Sequence, residues 1–115
     1  MELIVLPILI MIMVICFFLL RANEAIGEAN HIFAKICRTA NNNRDVFSND
    51  DVAAVVAMYS SWPVNPCKIF FRGIPADPEA ILRDYFNRVL SLGIPEVKTF
   101  DYYLERCRMK GVEIF

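Results

Sequence analysis

The chain has 115 residues, is 57% hydrophobic and carries a formal net charge of −1. All twelve basic residues, and all but Glu2 of the thirteen acidic ones, lie beyond residue 20, so residues 21–115 are formally neutral. A neutral stretch of that length builds one core. It has no broad electrostatic attraction for nucleic acid or anionic lipid, and no nucleic-acid partner is expected.

Residues 3–20 read LIVLPILIMIMVICFFLL, with no charge, amide or hydroxyl. A run of about 18 apolar residues meets the length threshold for a transmembrane helix. At about 1.5 Å per residue it reaches about 27 Å, slightly short of a hydrocarbon core of about 30 Å. Leu3, Leu6, Ile10, Val14, Phe17 and Leu20 form the expected anchor, and Arg21 closes it with a head that can snorkel to the interface. Pro7 falls near the helix start, where a missing hydrogen bond is easiest to tolerate. A cleaved signal peptide fits less well. Its leading segment should be basic, but here it is Met1-Glu2, and the small pair Gly27-Glu28-Ala29 lies well past the apolar run.

Flanking charge sets the expected orientation. Arg21, Lys35, Arg38 and Arg44 all follow the anchor, so the positive-inside rule places the C-terminal domain in the cytoplasm of a single-pass protein. Cys16 sits in the apolar run. The remaining cysteines, Cys37, Cys67 and Cys107, cannot all pair within one chain. No Asn-x-Ser/Thr sequon occurs.

Residues 22–45 read as a juxtamembrane helix and an Asn-rich loop. Ala22, Ile26, Ala29, Phe33, Ile36 and Ala40 recur at heptad-like spacing. This seam serves either docking, to a second copy or another membrane protein, or packing on the chain's own domain. Asn41, Asn42, Asn43, Arg44 and Asp45 end the helix, because Asn competes with the backbone for hydrogen bonds. Their alternating oxygens do not make a calcium loop. Val46 stands where the sharp-turn Gly belongs, and Val52 where the bidentate Glu belongs.

Residues 46–115 read as a small helical domain. Ser48 is an N-cap with Asp51 as its capping-box partner, and Phe47 and Val52 form a staple. Val52, Val55, Val56 and Tyr59 are expected on one face, with Pro63 stopping the helix. Asp50 and Asp51 suit the helix dipole better than they suit paired catalysis. The apolar run from Cys67 to Arg72 suggests one short strand, pairing with Val112–Phe115. Asp77, Pro78 and Glu79 open a helix expected over 78–92. Its stripe is Ile81, Leu82, Tyr85, Phe86, Val89 and Leu90, and Gly93 stops it. A last helix starts between Glu96 and Phe100, buries Phe100, Tyr103, Leu104 and Cys107, and stops at Gly111.

The string Leu92-Gly93-Ile94-Pro95 between two helices resembles the turn of bacterial helix-turn-helix repressors, which would imply DNA binding. Val89 stands where that family has a small residue and Thr99 where it has an apolar one. The second helix also mixes Glu96, Asp101 and Glu105 with its bases, so an ordinary helical hairpin is the better reading. His31, the sole histidine, is six residues from Cys37 and on another helix face. A thiol enzyme would need Cys67 beside a base, and a zinc site would need Cys-x-x-Cys spacing that is absent. No metal, cofactor or catalytic group is expected.

The sequence therefore predicts a mostly α protein: a single N-terminal transmembrane helix, then a small helical domain with one short β pairing. The function expected is a non-enzymatic accessory or assembly subunit that binds lipid through its anchor and other proteins through helical and aromatic surfaces (Trp62, Phe70, Phe71, Tyr102, Tyr103). Two alternatives remain. One is a signal-anchored envelope or entry component, with its domain outside the cytoplasm and a disulfide among Cys37, Cys67 and Cys107. The other is a thiol-dependent enzyme using Cys67.

Overall fold

In the computed structural model, residues 2–62 and 65–115 are described, and they form five helices. These are α1 (Glu2–Asn42), α2 (Asn49–Ser60), α3 (Pro66–Phe71), α4 (Pro78–Leu90) and α5 (Phe100–Met109). No strand occurs among the described residues. Met1 of the leading segment and Pro63, expected to stop α2, lie outside them.

One helix, α1, runs from the apolar segment into the core without a break. Its N-terminal part is long and apolar enough to cross a membrane, and none of its 18-residue apolar window is buried. Its C-terminal part is the pillar of the domain, packing against each of α2, α3, α4 and α5, while α4 also packs on α5. The molecule is accordingly elongated, 66 Å along its longest axis.

The six seam residues from Ala22 to Ala40 are all buried in the chain's own core. Residues 22–42 therefore pack as the central helix of the core. The seam is filled from within the chain. Small residues at Ala22, Ala29 and Ala40 let neighbouring helices approach closely, and Phe33 fills the space between them. Its ring meets Tyr59 at 5.1 Å, Phe86 at 5.3 Å and Trp62 at 5.7 Å, mostly edge-on. Phe86 extends the cluster to Phe100 at 5.0 Å and Tyr103 at 5.6 Å. Thus Trp62 and Tyr103, expected as contact aromatics, are core residues. Ala29 of the Gly27-Glu28-Ala29 pair is buried mid-helix.

Local signals account for the starts of the later helices. Ser48 caps α2 by accepting from the Asp51 backbone N–H (3.1 Å), and the Asp51 carboxylate accepts from the Ser48 N–H. Asp51 is buried and also accepts a hydrogen bond from the Tyr102 hydroxyl at 2.8 Å, tying α2 to α5. Val56 departs from the expected face. It is 46% exposed, and Val52, Val55 and Met58 make the buried arc. Asp77 caps α4 with Pro78 at its first turn, and Thr99 caps α5. The helix of α4 ends at Leu90, and the chain reverses at Gly93, whose φ of 76° is the left-handed conformation glycine adopts most readily. Gly111, at φ 75°, follows α5 in the same way. The Asn-rich loop is used structurally: the Asn43 amide donates to the Thr39 carbonyl, and Asp45 pairs with Lys110.

The expected strand over Cys67–Arg72 is a helix instead. Pro66 stands at its first helical position, where the absent N–H would have been unpaired anyway. Asn65 caps it, its side-chain oxygen accepting from the Cys67 N–H at 2.8 Å. With the backbone paired locally, Val112–Phe115 receives no strand partner. Val112 and Ile114 pack against the core as an extended tail, and the Lys35 ammonium donates to the Glu113 carbonyl.

Candidate functional site

Among the described residues, two open and largely apolar surfaces lie away from the seam. The larger is a groove of about 640 Å³ between α2, α4 and the loop that leaves α4. On one side α2 presents Ala53 and Ala57, whose small side chains keep its surface low. Opposite stand Val89 and Leu92 with Ile94 beyond them. Leu92 is 72% exposed, a large apolar side chain left mostly open. Polar groups sit at the rim: Asp50 and Glu96 are exposed, and the Arg88 guanidinium is held by Asp84 at 2.9 Å. In the wall, the Tyr85 hydroxyl donates to the Met58 carbonyl at 2.7 Å, and burial raises its pKa.

This composition suits apolar recognition with a polar rim. Sequence reasoning overlooked it. The available signal was α2 itself, whose apolar residues Ala53, Val56 and Ala57 fall off the face that packs on α1.

The second surface is a collar where α3 meets the last turns of the apolar segment. Phe70 meets Phe18 edge-on at 5.3 Å. An open, largely apolar hollow of about 460 Å³ is lined there by Cys16, Leu19, Leu20, Asn23, Asn65, Pro66 and Cys67. Arg21 lies over the Phe17 ring, 5.6 Å from its centre. Phe71 points away from the core and is 83% exposed.

The anchor residues Leu3, Leu6, Ile10, Val14, Phe17 and Leu20 are all exposed, as is Arg21. The four cysteines are free thiols in different settings. Cys37 faces the Val55 carbonyl across the α1–α2 contact, and burial pushes its pKa up to about 11. Cys107 is buried, which raises its pKa too. Cys67 is exposed in the collar, and no histidine or carboxylate lines that hollow. His31 is exposed on α1. Among the described residues, no group of three or more His, Cys, Asp or Glu side chains is placed to hold a metal ion.

The string Leu92-Gly93-Ile94-Pro95 lies in the connection between α4 and α5. Residues 91–99 separate the helices, and Phe100, at the start of α5, is buried. Arg83 bridges the pair, bonding Glu79 on α4 and Asp101 on α5.

Compared with protein-family models, curated proteins and solved structures, the chain finds no match.

Proposed function

We propose that this chain is a non-enzymatic, single-pass membrane-anchored accessory or assembly subunit whose α2–α4 groove takes an apolar segment of a partner protein. The observation that carries this reading is the groove itself: an uncovered apolar trough beside a core that already holds the seam and the aromatic cluster. The seam being filled from within directs attention to this trough as the place for a partner. Anchoring is supported by the apolar half of α1, none of whose 18-residue apolar window is buried. The basic residues that follow it favour a cytoplasmic domain.

The test places a photo-crosslinking residue, p-benzoylphenylalanine, at Ala57 in the groove and, separately, at Asn87 on the exposed side of α4. A discrete adduct from Ala57 alone, lost on adding Leu92→Glu, is the expected result. Equal labelling from both positions, or an adduct indifferent to Leu92→Glu, would sink the groove as the binding site. Glu105→Cys, exposed on α5, then reports orientation. Labelling by an impermeant maleimide only after permeabilisation agrees with a cytoplasmic domain, and labelling of intact cells opposes it.

A further inference from the structure

We infer that α3 is a second membrane contact, in which Cys67, Phe70 and Phe71 rest in the interfacial layer of the bilayer beside the end of the span and Lys68 reaches the lipid headgroups. The inference rests on the proposed anchoring and adds a surface to it.

Depth decides the matter. The Phe18–Phe70 contact and the shared hollow hold α3 level with residues 16–20 of α1. The hydrocarbon boundary cannot lie much higher, because Arg21, Asn23 and Glu24 would enter it. It cannot lie below α3 either. Ending the span before Cys16 leaves residues 3–15, about 20 Å of helix against a core of about 30 Å. With the boundary near Leu20, α3 has no place in bulk water.

The chemistry of α3 fits that position. Ile69 is buried toward the domain and ties α3 to it. Phe70 stacks between Phe18 and Phe71, so the aromatic surface is continuous from the span onto α3. Phe71, at 83% exposure, is an aromatic ring that meets Phe70 at its edge and is otherwise open. Lys68 is exposed, and long cationic side chains beside an apolar surface reach to headgroups. Arg72 is held by Asp84 at 3.3 Å and so anchors α3 to α4. A single cation on α3, Lys68, gives little preference for anionic lipid, and the occupant inferred is the neutral interfacial layer itself.

The test uses the full chain in phosphatidylcholine vesicles and its own fluorescence. The chain has one tryptophan, Trp62, which is buried and supplies a constant background. Phe71→Trp adds a reporter at an exposed site that does not challenge the fold. Phe17→Trp adds one on the span. The expected result is blue-shifted added emission from both, quenched by phospholipid brominated on its acyl chains. For Phe71→Trp, bromines near the headgroup should quench most, with little loss to aqueous acrylamide. If Phe17→Trp is quenched by lipid while Phe71→Trp emits as in water and is quenched by acrylamide, α3 is not a membrane contact and the anchor stands. If lipid quenches neither, the anchor itself fails and the inference falls with it.

Discussion

The two halves of α1 are both apolar and continuous, yet they meet opposite fates. From Leu3 to Leu20 every face is apolar and none is buried, with only the last turns meeting α3 through the Phe18–Phe70 contact. From Ala22 to Ala40 the apolar residues keep to one stripe, and that stripe is buried to completion beneath four other helices. The difference lies in pattern and not in hydrophobicity alone. A helix apolar all round asks for a solvent that is itself apolar, whereas a striped helix asks for a partner surface. Here the chain supplies that surface itself.

Substituting each half should separate these roles. Phe33→Ala removes the ring at the centre of the aromatic cluster and should destabilise the domain by about 3–5 kcal/mol. Phe17→Ala, on the open half, should leave the domain's unfolding midpoint in vesicles unchanged. Equal losses from the two would mean that the halves are not distinct. Ile10→Arg makes the complementary cut. A charge at the centre of a span costs about 2.5–3.5 kcal/mol of insertion free energy. The fraction of chain resistant to carbonate extraction should fall, while thermal unfolding of the domain stays the same.

The smallest effect is a titration. Burial lifts the Cys37 thiol from its ordinary 9.0 to about 11, so the folded chain holds this proton more tightly than the unfolded one. The stability this contributes is whole below pH 9.0 and is lost as pH rises to about 11. Burial raises the pKa of Cys107 and Tyr103 as well, so the slope is shared. Cys37→Ala should flatten the alkaline loss of denaturant midpoint without abolishing it. An unchanged slope would mean that water reaches the α1–α2 contact.

What could be read from the sequence follows the range of the forces involved. The caps at Ser48 and Asp77 and the reversals at Gly93 and Gly111 depend on neighbours within a turn, and all four stand as expected. The seam was legible as a stripe, but its cover was not, because Tyr85, Phe86 and Tyr103 reach it only through distant folding. Residues 66–71 show the converse error. Six mainly apolar residues carry no decisive period, and a proline such as Pro66, a breaker inside a helix, is a starter at its first turn. The groove was hidden for another reason: it is defined by what fails to cover Ala57 and Leu92, and no local pattern encodes an absence.

The unbroken course of α1 has a mechanical consequence. Between Leu20 and Asn42 the helix extends about 33 Å at about 1.5 Å per residue. On the anchored reading, it is a lever with no joint at the bilayer surface. A change of about 10° in the tilt of the span, of the kind that bilayer thickness imposes, would swing its far end by about 6 Å. The domain, built around that end, would turn with it, and the groove would be aimed by the membrane that holds the span.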